Sequence, residues 1–301
     1  MDGTRPPAWR ATALTWSATG PELEWSAPDG RPARTSPLTI DAEVSMRASA
    51  DRRCVGVWRA GRRLPCPTAV ELAPAARTPQ CPSCTAVDRS RSIAADTAMD
   101  DPRPFLVYLA HHGTAGIKVG ITAEERGAVR LLEQGALSSL VVSAGTLASA
   151  RRTEHLLHAA LGLPDRITTS RKRTARRDPG TPGQRADELT ATAESAHALA
   201  WPEAQERRQA QPVDHTPTYG LPDGGVRPDI EVTALAAGCV ISGRIACRIG
   251  TDLYLHTSAG LLLLDTRQLT GWALAPAPPG APVTAPVAAV NHPETTQDAL
   301  F

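Results

Sequence analysis

Two residue types are almost missing from this 301-residue chain: phenylalanine occurs twice and lysine twice, against 30 arginines. The arginine excess, with heavy alanine and proline, marks a compositional bias, so a single arginine carries less meaning than usual. Aromatics are only 4%, while 27 prolines and 23 glycines punctuate the sequence, so part of the length reads as linker. Net charge is missing too. Thirty-two basic against 31 acidic residues leave +1, which removes bulk charge as a drive toward nucleic acid or membrane and leaves only local patches. No segment approaches the run of about 18 apolar residues that a spanning helix needs. Met1 to Arg5 leads into no apolar stretch, so no secretory signal is expected. The expected location is the cytoplasm, with no membrane partner. There six cysteines stay reduced and read as metal ligands, catalytic groups or small core residues.

What is present divides the chain into six stretches. Residues 1–53 hold short alternating runs, such as Ala13 to Trp16 and Glu22 to Trp25, that suggest small antiparallel strands. Residues 54–100 are loop-rich and contain four of the six cysteines. Residues 101–167 are the most regular. Phe105 to Ala110 and Ile117 to Thr122 read as a hairpin, with His111 and His112 as solvated turn residues. Thr122 would cap a helix beginning at Glu124 and Glu125 and ending at Gly135. A strand from Ser139 to Ser143 and a helix from Thr146 to Leu161, stopped by Gly162, complete the order strand, strand, helix, strand, helix. Residues 168–228 read as a basic and proline-rich linker or insertion. Residues 229–275 return to β character and suggest a small barrel or curled sheet, with Cys239 and Cys247 in its core. The proline- and alanine-rich stretch 276–301 reads as a disordered tail. The expected class is α+β.

On the second helix of the central stretch, Leu147, Ala150, Leu157 and Leu161 form an apolar stripe with Glu154 in its middle. A carboxylate facing a core needs a cation, a metal or hydrogen-bond donors. Arg126 and Arg130 on the first helix, and Tyr108 and Lys118 on the hairpin, are available partners. Together they could make a phosphodiester site, with a metal on Glu154, an arginine on phosphate and a phenol near the attacking water. The plain alternatives are a strand aromatic at Tyr108, and a structural pairing of Glu154 with Arg130 or His158.

These residues resemble the GIY-YIG nuclease superfamily. Leu106-Val-Tyr108 matches its first signature strand without the glycine, and Lys118-Val-Gly120 the second, with lysine in place of the second tyrosine. Lys118 to Thr122 followed by Arg130 to Ala136 is similar to an uncharacterised bacterial family of that superfamily. The resemblance covers about 60 residues and implies a small strand-strand-helix-strand-helix fold. It also implies catalytic roles for Tyr108, Lys118, Arg130 and Glu154, with Mg²⁺ or Mn²⁺ on Glu154. The closing asparagine of the nuclease pattern has no counterpart.

Cys54, Cys66, Cys81 and Cys84 form C-x11-C-x14-C-x2-C, and four thiolates around Zn²⁺ would hold a segment with little core of its own. The alternative is four buried reduced thiols. Beyond the central stretch, Arg171, Lys172, Arg173, Arg176 and Arg177 could bind nucleic-acid phosphates or simply be a solvated linker. Gln297 to Phe301 looks like the peptide by which bacterial polymerases and repair proteins bind the replication sliding clamp. Gln297 would set register, and Leu300 and Phe301 would fill an apolar pocket.

The leading expectation is a metal-dependent endonuclease-like protein acting on DNA in repair or replication. The opposing one is a non-catalytic, zinc-containing DNA-associated adaptor tethered to the clamp. A third has zinc structural, the tail inert and the central module serving a partner or ligand unrelated to DNA.

Overall fold

The computed structural model describes residues 9–27, 31–59, 62–76, 78–89 and 101–291. The chain is α+β, built on two large sheets and a separate two-stranded ribbon. It begins with β1 (Trp9–Ser17), β2 (Gly20–Ser26), β3 (Arg34–Pro37) and β4 (Glu43–Arg53), a run of antiparallel strands. Three short strands follow, β5 (Val57–Arg59), β6 (Arg62–Leu64) and β7 (Glu71–Leu72), then α1 (Pro82–Arg89).

The central unit opens with β8 (Phe105–His111), β9 (Ile117–Ala123), α2 (Gly127–Gln134), β10 (Ser138–Gly145) and α3 (Leu147–Leu161). This is the expected order of elements, and its stops are where the sequence places them. Gly135 and Gly162 both take the left-handed conformation that ends a helix, and the Thr146 hydroxyl accepts from Ser149 N–H at the start of α3. Thr122 is different: it lies within β9, and a 3-10 turn over Glu124–Arg126 precedes α2.

The stretch 168–228, expected as a linker or insertion, is folded. It contains α4 (Thr169–Ala175), α5 (Pro182–His197), β11 (Gln205–Arg207), β12 (Val213–Asp214) and α6 (Thr216–Tyr219). Strands β11 and β12 extend the central sheet by pairing with β10, giving the order β11-β10-β8-β9 with β12 alongside. Helix α5 lays Leu189, Ala193 and Ala196 against the same core as Phe105, Val107, Leu109, Leu147 and Leu157. That face is mostly alanine, so its periodicity is weak in sequence although it buries a full helix side.

Strands β13 (Ile230–Val232), β14 (Val240–Ile249), β15 (Asp252–Thr257), β16 (Gly260–Asp265), β17 (Trp272–Pro276) and β18 (Val287–Ala289) join the N-terminal strands in one sheet. Its order is β18-β13-β16-β15-β14-β4-β17-β1-β2-β3, with β7 also on β4. The N-terminal segment and the expected separate β domain are therefore one structure, with β4 between β14 and β17. Its core runs from Ala11 and Leu23 to Leu264 and Trp272. No described helix is long and apolar enough to cross a membrane.

Candidate functional site

Along β8 the side chains alternate between the sheet's two faces. Phe105, Val107 and Leu109 enter the core under α3 and α5, while Tyr108 and Ala110 turn to the other face with Leu131 and Ala136. Tyr108 lies opposite Gly120 and Ala110 opposite Lys118, so phenol and amine share that face. The glycine is needed by contact rather than by backbone angle: a Cβ at residue 120 would come within 2.5 Å of the Tyr108 hydroxyl. The Tyr108 ring therefore lies across the β9 backbone, only 2% exposed, and Gln134 Nε2 donates to its hydroxyl at 2.6 Å.

Strand β9 is the sheet's outer strand, and the loop after α3 runs along it, with Val119 N–H donating to Pro164 O. Lys118 Nζ donates to Asp165 O at 3.0 Å and stands 6.0 Å from the centre of the Tyr108 ring. At this edge Tyr108 and Lys118 lie side by side, within electrostatic reach of Arg130 and Glu154. Tyr108 feels the charges of Arg130 and Glu154, and Lys118 feels the same two. Burial pushes the Tyr108 phenol up, so it stays protonated at neutral pH. Burial and then Arg130 draw the Lys118 amine below the usual lysine range. Burial raises the Glu154 carboxyl, with Asp165 adding to the rise while Lys118 and Arg151 oppose it. Glu154 is ion-paired with neither Arg130 nor His158. Arg130 is 43% exposed and meets Glu133 at 3.4 Å, while His158 Nδ1 bonds Leu163 O.

The histidines of the first turn are not solvated. His111 and His112 are both buried; His111 Nε2 meets Glu188 at 2.9 Å, and His112 Nδ1 bonds Gly135 O. His112 Nε2 is buried without a partner among the described residues.

The basic run divides. Arg173 and Arg176 on α4 and at its C-cap close on Asp252 of β15. Arg173 Nη2 lies 2.5 Å from Asp252 Oδ1 and 3.0 Å from Asp265 Oδ2, while Arg176 Nη1 lies 2.5 Å from Asp252 Oδ2. Arg176 is 3% exposed and also reaches the Tyr254 hydroxyl, so this pair joins the two sheets and is not offered to phosphates. Arg171 is exposed and reaches Ala115 O, and Arg177 reaches Asn291 O.

Lys172 points the other way. Its Nζ donates to Gln134 O at 2.8 Å, one residue's length from the Tyr108 hydroxyl that the Gln134 side chain holds. Burial first, then Lys118, Arg176 and Arg130, draw its amine from the usual lysine value to about 7, against a smaller opposing pull from Asp252. In the sequence Lys172 stands out only as a member of the basic run. The signal that could have found it was composition: in a chain that uses arginine 30 times, both lysines stand at this site.

The cysteines form a second site. Cys54, Cys66, Cys81 and Cys84 are all buried, and their sulfurs lie within 4.8 Å of one another, an arrangement that can hold a metal ion. Backbone N–H groups of Gly56 and Cys81 point at the Cys54 sulfur, at 3.4 and 3.2 Å, as donors to a thiolate do. Cys239 and Cys247 lie apart, buried within the large sheet and its flank. Gln297, Leu300 and Phe301 lie outside the described residues.

A family profile described as "Protein of unknown function (DUF2797)" matches residues 42–274, and the chain belongs to that family. The match takes in the cysteine cluster, the Tyr108 site and the Asp252 junction. No curated protein and no solved structure matches the chain.

Proposed function

For this member of the DUF2797 family we propose a metal-dependent phosphodiesterase acting on DNA, with a GIY-YIG-like site on the central sheet. The observation that carries the reading is that Lys118 on β9 stands beside the Tyr108 ring of β8 and shares with it the charges of Arg130 on α2 and Glu154 on α3. In this reading Glu154 holds Mg²⁺ or Mn²⁺, a single carboxylate with waters being an ordinary magnesium site. The cation supplies charge neutralisation on the phosphate oxygens. Arg130, half-exposed, leaves Glu133 to meet the phosphate and stabilise the charge that develops there. Tyr108 keeps its proton and orients the attacking water. Lys172, its amine drawn down to about 7 by burial and then by the charge of Lys118, takes the proton that the water loses.

The cysteine cluster is assigned to Zn²⁺. Tetrahedral Zn–S bonds of about 2.3 Å put sulfurs ~3.8 Å apart, and Cys66 and Cys81 sulfurs are 4.0 Å apart. In this reading the ion is structural, since four thiolates leave no open position. Gln297, Leu300 and Phe301 would bind the bacterial sliding clamp and place the protein at replication or repair sites in the cytoplasm. Deleting residues 297–301 is expected to abolish clamp binding by the full chain; binding that survives the deletion overturns that assignment.

The cleavage reading is tested on nicked, branched and flapped DNA with Mg²⁺ or Mn²⁺. The wild type is expected to cut at least one substrate, and Glu154→Ala to cut it ~100-fold more slowly or worse. A second reading, a DNA-associated adaptor that binds without cutting, is favoured by the Arg130–Glu133 pairing and by the amine at Lys118 where the superfamily pattern has a phenol. DNA bound equally by wild type and Glu154→Ala, with no cut by either, selects it.

A further inference from the structure

Hairpin β5–β6 stands apart from both large sheets: among the described strands its two members pair only with each other. A two-stranded ribbon is at best marginal alone in water, so something else must fix it. The cysteine cluster does. Cys54 precedes β5 and Cys66 follows β6, and between them Gly56 takes φ +77°, where a Cβ would lie 1.9 Å from Leu64 O. Only glycine lets the ribbon close over the Cys54 sulfur in this way.

The side chains on this anchored ribbon are unusual. Trp58 is 49% exposed, and the guanidinium of Arg63, its cross-strand partner, stands over the indole at 5.7 Å from the ring centre. Nearer the turn, on the other face, Arg59 and Arg62 sit directly opposite each other, both exposed, and among the described residues neither is in an ion pair. Like charges facing one another across a ribbon destabilise it. An indole left half in water under one guanidinium, with two more facing each other on the ribbon's opposite face, on a support fixed at its base, is an arrangement that lacks its partner.

We propose that this hairpin binds single-stranded nucleic acid, with Trp58 stacked on an unpaired base and Arg59 and Arg62 on backbone phosphates. The two halves of the surface select the partner together. Phosphates neutralise the facing arginines, and a planar base covers the indole that Arg63 already stacks on from one side. Duplex DNA buries its base faces in its own stack, and an acidic peptide brings charge without a plane. The inference takes from the proposed function only the class of partner and adds its form: a strand with unpaired bases, gripped away from the Tyr108 site.

The test uses the full-length protein, zinc-loaded, and a fluorescein-labelled dT20 followed by anisotropy without added Mg²⁺. Trp58→Ala is expected to weaken binding roughly tenfold without changing its salt dependence, and Trp58→Phe to restore most of the loss. Replacing Arg59 and Arg62 together with alanine is expected to lower the steepness of the log K against log salt plot by about 1.4. Equal affinity of Trp58→Ala and wild type overturns the proposal. So does absence of dT20 binding, or displacement of dT20 by blunt duplex or polyglutamate as readily as by unlabelled dT20. Binding is read here without added Mg²⁺ and cleavage separately at Glu154, so loss of this surface and loss of the cleavage reading are told apart.

Discussion

On one side of α4, Arg173 and Arg176 close on Asp252, every strong charge has an opposite within bonding distance, and the result is a buried junction between two sheets. On the other side, the Lys172 amine bonds only Gln134 O and lies under the like charges of Lys118 and Arg130, with Glu154 acting on Lys118 and Asp252 alone opposing them at Lys172. Five cations within seven residues have thus been sorted by the turn of one helix. Matched charge holds the fold. Unmatched charge is what a site for an anion needs before the anion arrives, because buried cations without partners cost stability that only a ligand or a depressed pKa relieves.

The largest expected effect comes from breaking the matched side. Asp252→Asn strips the buried Arg176 of its counter-charge and is expected to cost ~3–5 kcal/mol, read from urea unfolding. The pH dependence has a definite sign. Arg176 and Arg173 hold the Asp252 carboxyl below its ordinary range, overcoming the burial that would raise it. The stability it contributes is complete above the ordinary carboxylate pKa and drains as pH falls through its own lower value. Asp252→Asn should therefore be less sensitive to acid than the wild type.

The unmatched side gives a different signature. Lys172→Arg keeps the charge but cannot release a proton at any working pH. The wild-type cleavage rate is expected to rise with pH through about 7, as Lys172 loses its proton, and the variant to lose that rise. A variant with an unchanged pH profile would remove Lys172 from proton transfer. The smallest effect is expected at the outer members of the run. Arg171→Ala and Arg177→Ala reach only backbone oxygens from the surface, and each should change stability by less than about 0.5 kcal/mol.

How much of this was legible in the sequence follows the range of the interactions concerned. Local signals sufficed for residues 105–163, where a Thr146 cap, glycines at 135 and 162 and alternating apolar residues mark elements that the structure contains. The cysteine cluster was legible because thiols in a thiol-poor chain have few other uses. The interleaving of β4 between β14 and β17 was not, since pairing across two hundred residues leaves no local trace. Helix α5 was hidden by its alanine-built face, and the burial of His111 by a partner, Glu188, far along the chain. The split of the basic run needed the helix to be recognised first: without α4, Lys172 and Arg173 are neighbours, and with it they face different sheets.

In the proposed reading Glu154 serves chemistry, whereas Asp252 serves the fold. Measuring cleavage and the urea midpoint in parallel for Glu154→Ala and Asp252→Asn tests it most directly. Glu154→Ala is expected to lose metal-dependent cleavage at an unchanged midpoint, and Asp252→Asn to lower the midpoint. A Glu154→Ala protein that cuts DNA at the wild-type rate, or one that unfolds as early as Asp252→Asn, would contradict it.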